Sequence, residues 1–191
     1  LPRACAALDV HGGVVERDSD GEPTGVLREE SAWRFRERHV TVTEDEWVAA
    51  TRDGLRVANE RGVGAIHDKD GWLGANAIFA RIHEHDGLTL RVWQSLPHDR
   101  VGELAELRIR SGLGDDYLRL GYLKAFMDGT LGSQTARILD GSGVQITSRE
   151  ELVEIIRVGA RAGLPVAVHA IGDLANRDAL DAFEQTRDDW H

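Results

Sequence analysis

Cysteine is almost absent from this chain, and positive charge is in deficit. The single Cys5 excludes an internal disulfide framework and a cysteine zinc cluster. Lys and Arg total 23 against 33 Asp and Glu, a formal net charge of −10. Nucleic acid and anionic membranes call for clustered positive charge, so this balance argues against either as a partner. No apolar run is long enough to span a bilayer, and no basic-then-apolar leader opens the chain. A soluble, cytoplasmic protein is the expectation. Its 191 residues suffice for one sizeable core. It begins at Leu1 rather than Met, which suggests a piece of something longer.

Residues 1–40 are the least regular. Gly12-Gly13 and the run from Asp18 to Gly25 are turn chemistry. Val14–Arg17 and Val26-Leu27 read as short antiparallel strands of a β excursion beside a main domain over 41–191.

From residue 43 the pattern becomes regular. Thr43 and Glu46 form a capping box that opens a helix with Trp47, Val48, Leu55 and Ala58 inward, closed by Gly62. Val63–Ile66 reads as a short buried strand. A helix over 74–86 follows, with Ala77, Ile78 and Ile82 inward. Leu88–Leu96 is a strand stopped by Pro97, and Asp99 can cap a helix reaching 110. Leu118–Phe126 is the third strand. Ser148 and Glu151 form a second capping box for a helix with Leu152, Ile155 and Ile156 inward, closed by Gly163. Pro165–Val168 is the fourth strand, before a helix over 173–187 with Leu180 and Phe183 inward. Strand and helix alternate four times, which implies an α/β fold with parallel strands, as an open doubly wound sheet or a barrel.

In both, chemistry sits at the strand C-termini. That selects His67-Asp68, the stretch from Lys124 to Gly129, and the stretch from His169 to Asp173. Gly129-Thr130-Leu131-Gly132-Ser133 lacks both the G-x-G-x-x-G spacing and a P-loop lysine, which disfavours nucleotide binding and favours the barrel. Lys124 stands among apolar strand residues, where burial lowers its pKa and exposes a neutral amine. That amine can take up carbon dioxide as a carbamate that ligates metal, form a Schiff base with a carbonyl, or simply pair with Asp128. His169 at its strand end suits a metal ligand or general base, or is a buried imidazole satisfied by a backbone carbonyl. Asp173 is equally a helix N-cap. His83 and His85 have H-x-H spacing, but on a helix residues two apart face different ways. His11, His39 and His98 stand in polar loop contexts, where they are expected exposed.

Three stretches together resemble the amidohydrolase superfamily, in its amidohydrolase-3 branch. They are Gly62–Asp68, Leu123–Ala136 and Val168–Asp173, joined by the N-terminal stretch Gly21–Glu29. The resemblance implies part of a (β/α)8 TIM-type barrel, roughly strands two to five, and one or two divalent metals, usually zinc. It implies a metal-activated water that attacks a non-peptide carbon–nitrogen bond of a small molecule. It assigns Lys124 and His169 as metal ligands and catalytic residues, with His67, Trp72, Asp128 and Asp173 near substrate. The family's strand-one H-x-H pair, strand-six histidine and strand-eight aspartate have no counterpart here, so catalysis by this chain alone is not expected. A Schiff-base lyase using Lys124 and a non-catalytic barrel fragment are the rival readings. Exposed sheet edges would favour self-association.

Overall fold

In the computed structural model, residues 8–189 are described; Cys5 and His191 lie outside them. They fall into two compact units that are discontinuous in sequence. One comprises residues up to Thr41, Phe126–Arg149 and His169–Ala182, and the other Val42–Ala125, Glu150–Val168 and the residues from Phe183 on.

The second unit holds the bulk of a four-stranded sheet. Its strands are β3 (Ala65–Asp68), β4 (Arg91–Pro97), β5 (Leu118–Phe126) and β6 (Val166–His169), in that spatial order. β3 with β4 and β4 with β5 are parallel. Between β5 and β6, Leu123 N–H donates to the Pro165 carbonyl and Met127 N–H to that of His169, so this register also advances in parallel. The helices between strands are α3 (Ala75–His85), α4 (Val101–Glu106) and α5 (Arg149–Ala162), and α6 (Asp173–Gln185) follows β6. Four strand–helix units in succession are the arrangement of a partial TIM-type barrel.

Before the sheet comes α2 (Glu44–Glu60). Thr43 Oγ1 accepts from Glu46 N–H at 3.3 Å while Thr43 N–H donates to Glu46 Oε2 at 2.8 Å, the reciprocal capping box. These bonds hold the Glu46 carboxyl below its usual pKa. One core packs α2 and α3 on the sheet: Val48, Leu55, Ile78, Phe79, Ile82, Leu88, Leu90 and Val92 are buried together. A second joins Leu96, Leu123 and Leu164, with Leu104, Leu120 and Val166 around them. Burying such a side chain contributes about 1.5–3 kcal/mol.

Several sequence expectations need correction. The first strand is Ala65–Asp68 rather than a buried 63–66; as the end strand of the sheet it leaves Ala65 and His67 exposed, and Val63 is exposed before it. Ala77 is exposed, and Phe79 takes the inward place on α3. The helix after Pro97 opens as a 3-10 turn over His98–Arg100, so Asp99 is not its cap, and it ends at Glu106, shortly before Arg108 at φ 55°. On α6 the inward residues are Ala175, Ala179 and Ala182, while Leu180 and Phe183 are exposed. The small alanine stripe, spaced by four and three, is what lies buried.

The first unit contains an antiparallel pair, β1 (Gly13–Arg17) and β2 (Pro23–Glu29), as the turn chemistry implies. A helix the sequence reading missed, α1 (Glu30–His39), follows directly. Its N-cap position, Glu29, has a positive φ of 51° and makes no side-chain cap bond, so no capping signature announces it. Leu8, Val15 and Leu27 pack together here.

Candidate active site

The second unit gathers aromatic and cationic side chains on one face of the sheet. Val92 and Leu96 belong to the helix-side cores, so alternation turns Trp93 and Ser95 to the other face. Register pairs His67 with Trp93. The His67 ring stacks 6.0 Å from Trp93 and 6.1 Å from Tyr122, a platform across three strands. The Trp93 indole lies directly on Gly121, where a Cβ would fall 1.8 Å from Nε1. Lys69 Nζ sits 3.6 Å from the centroid of the Tyr122 ring, a cation–π contact.

Lys124 is buried on β5, its Nζ donating to the Ala125 carbonyl at 3.2 Å. Burial, and then the positive charge of Lys69, pull its pKa down to about 8. Register places Lys124 opposite Pro97. The next residue, His98, is therefore half-buried, with Nδ1 2.9 Å from the Lys124 carbonyl and its ring edge-on to Trp72 at 5.6 Å. The expectation of an exposed loop histidine is corrected by that strand register. Asp68 and Asp70 shape the loop after β3: Asp68 Oδ1 accepts from Asp70 N–H, and Asp70 Oδ1 from Trp72 and Leu73 N–H. Burial raises the Asp68 pKa, and the charge of Asp70 adds to the rise. Trp72 is exposed at this loop.

The first unit holds Asp128, His169 and Asp173. Asp128 is fully buried. Its Oδ2 accepts from Arg137 and Gly172 N–H, both at 2.8 Å, and its Oδ1 from Ile171 N–H at 3.0 Å. This carboxylate thus holds two loops together. Gly172 is needed there, since a Cβ would meet the Arg137 carbonyl oxygen at 1.9 Å. His169 is half-buried, with Nε2 2.9 Å from the Gly129 carbonyl oxygen and 3.9 Å from Asp128 Oδ1. A carbonyl can only accept, so Nε2 carries a proton here, and in the neutral ring that leaves the lone pair on Nδ1. Asp173 begins α6 and its Oδ1 accepts from Leu139 and Leu174 N–H, both at 2.8 Å. Gly172, whose carbonyl accepts from Asn176 N–H, takes the capping position before it. Arg137 pairs with Asp178 at 2.6 Å, both largely buried. A shallow cavity of about 530 Å³ lies over Ile171, Asp173, Asn176 and Leu180, on the outer side of α6.

The model of the amidohydrolase family (Amidohydro_3) matches residues 3–191. The chain belongs to the amidohydrolase family. Among curated proteins it is 29% identical over 189 residues to YtcJ of Bacillus subtilis (strain 168), covering 93% of this chain and 35% of YtcJ. It is 27% identical to Protein LONG AFTER FAR-RED 3 of Arabidopsis thaliana, covering 92% of this chain and 33% of that protein. A crystal structure of an uncharacterized metal-dependent hydrolase from Pyrococcus furiosus has the same fold, with TM-score 0.74 and 23% identity over 97% of this chain and 40% of that one. A second, from Pyrococcus horikoshii OT3, gives TM-score 0.70 and 26% identity over 90% of this chain and 38% of that one. The chain therefore spans about a third of the length of these curated relatives.

Do the residues of this amidohydrolase chain fit a divalent metal? His169 does: with its N–H anchored on the Gly129 carbonyl, the ring is held so that its other nitrogen can serve as a ligand, as metal-binding histidines usually are. Lys124 offers an amine held at about 8, close enough to neutrality to lose its proton and take up carbon dioxide. Among the described residues no three His, Cys, Asp or Glu side chains group to hold a metal. His83 engages Asp115 at 2.6 Å instead, and His85 is exposed. Lys124 and His67 belong to one unit and His169, Asp128 and Asp173 to the other. Sequence reasoning missed Lys69, one residue past His67-Asp68, and Glu29, the acid that closes β2.

Proposed function

We propose that the protein is a metal-dependent hydrolase that cleaves a non-peptide carbon–nitrogen bond, of the amide or formamide kind, in a small molecule. The observation that carries this reading is Lys124, a buried amine on a parallel strand whose pKa is pulled down to about 8. Its neutral nitrogen adds to carbon dioxide: an N–C bond forms, one C–O π bond becomes a carboxylate oxygen, and a proton leaves to water. The resulting carbamate is an anionic ligand. His169 supplies a second ligand atom, Nδ1, its ring held by the Gly129 carbonyl. When bound, the divalent ion, zinc in this proposal, supplies Lewis acidity and acidifies a water.

The chain's own residues do the remaining work proposed here. His67 and Trp72, both exposed, contact substrate, His67 on the platform it shares with Trp93 and Tyr122. Asp128 and Asp173 act through backbone amides, setting the loops at the end of β6. The length covered in the relatives supports a catalyst completed by segments beyond these 191 residues. A cytoplasmic, self-associating protein remains part of the proposal.

The test is metal analysis and hydrolysis of an amide and formamide panel by the full-length protein. Stoichiometric divalent metal and chelator-sensitive hydrolysis are expected. A metal-free protein whose activity ignores chelators would refute the mechanism. The same Lys124 amine would also suit a Schiff base; borohydride trapping of a lysine adduct with a carbonyl substrate would decide for that lyase reading.

A further inference from the structure

Glu29 closes the Gly21–Glu29 stretch that carries part of the family resemblance, yet that resemblance gives it no role. Its φ is positive, 51°, which side-chain-bearing residues rarely adopt. It ends β2, where the chain passes straight into α1. Its side chain reaches the loop 129–135, more than a hundred residues on. Glu29 Oε1 accepts from Ser133 Oγ and Thr135 Oγ1, both at 2.5 Å. The neighbouring Arg28 donates to the Ser133 carbonyl at 2.6 Å, a second tie to the same loop.

That loop ends on His169. Thr135 is buried, and its Oγ1 sits on Gly129 so closely that a Cβ there would fall 1.9 Å from it and 2.7 Å from Glu29 Oε1. Gly129 N–H donates to the Thr135 carbonyl at 3.3 Å, and Thr130 N–H to Thr135 Oγ1 at 3.0 Å. The Gly129 carbonyl is then the acceptor for His169 Nε2–H at 2.9 Å. The chain of contacts runs from Glu29 through Thr135 and Gly129 to the imidazole, all inside one unit. Hydrogen bonds to a carboxylate are the stronger kind, so Glu29 is a firm anchor for a loop otherwise held by hydroxyls and amides.

We propose that Glu29 is a positioning residue for His169. Through Thr135 it fixes the Gly129 carbonyl, which selects the Nε2–H tautomer and leaves Nδ1 as the ligand atom. The proposal rests on the reading of His169 as a metal ligand. It gives Gly129, Ser133 and Thr135 one shared purpose, and it ties the N-terminal excursion to the site.

The test uses the full-length protein, first metal-free and then titrated with Co²⁺ followed by visible absorption. Imidazole ¹H–¹⁵N spectra report the tautomer of His169, a property that general loss of stability does not select. E29A and T135V are expected to turn a single Nε2–H form into a mixture and to weaken Co²⁺ binding by about 10- to 100-fold. E29Q and T135S keep an acceptor and a hydroxyl, and should stay near wild type in both readouts. If E29A fails to fold, the pair T135V and T135S carries the same comparison. Unchanged tautomer and affinity in E29A and T135V would overturn the proposal. Wild-type protein that binds no Co²⁺, while E29A still shifts the tautomer, would uphold the positioning and remove the ligand assignment instead.

Discussion

Replacing Asp128 by Asn removes one acceptor from a fully buried group that holds Arg137, Ile171 and Gly172 N–H. The new amide can flip to lose the least. Its nitrogen then takes the Oδ1 place and strands only the Ile171 N–H, since Oδ2 serves two donors. One orphaned buried amide costs about 1–3 kcal/mol. Converting the other two bonds from charge-assisted to neutral costs roughly 0.5–1 kcal/mol each. The expected loss is about 2–5 kcal/mol, and in a domain of this size that lowers Tm by roughly 5–15 °C. Urea and thermal unfolding followed by circular dichroism measure it, and D128A should lose more. The competing idea is that Asp128 contacts substrate. A D128N protein within about 0.5 kcal/mol of wild type, with only activity lost, would refute the scaffold role and favour that contact.

Lys124 makes folding pH-dependent. Its folded pKa, about 8, lies below the usual lysine value of 10.5, so between them the unfolded state binds more protons. Stability should therefore rise as pH goes from about 8 to 10.5 and be flat below 8; urea titrations of K124M should lose that rise. Gly172→Ala must displace the Arg137 carbonyl, and destabilisation of about 1–3 kcal/mol or more is expected by chemical unfolding. Thr43→Ala breaks the capping box of α2 and should cost about 1 kcal/mol, read the same way.

Much of the fold could be read from residue pattern, because several signals are local. Thr43 with Glu46 announces α2, and α5 opens one residue after Ser148. The alternation of elements implies parallel strands, as observed. The misses are places where tertiary context decides. α1 starts after a residue with positive φ and no side-chain cap, and its charged sequence shows no strong apolar stripe. α6 buries alanines rather than its larger apolar residues, which no pattern favouring bulk would select. At the site, Lys124 stood out because a lysine inside an apolar strand is costly. His98 and Glu29 did not, because their partners are 26 and about 105 residues away in sequence and meet them only through register and loop docking.

Lys124 and His169 are each proposed to contribute a ligand to the metal. The decisive measurement is the metal content of the purified full-length protein, wild type against K124A and H169A, with circular dichroism confirming that each variant is folded. Stoichiometric divalent metal in the wild type, lost or sharply reduced in both folded variants, is the predicted result. Folded variants that retain the wild-type metal content would contradict it.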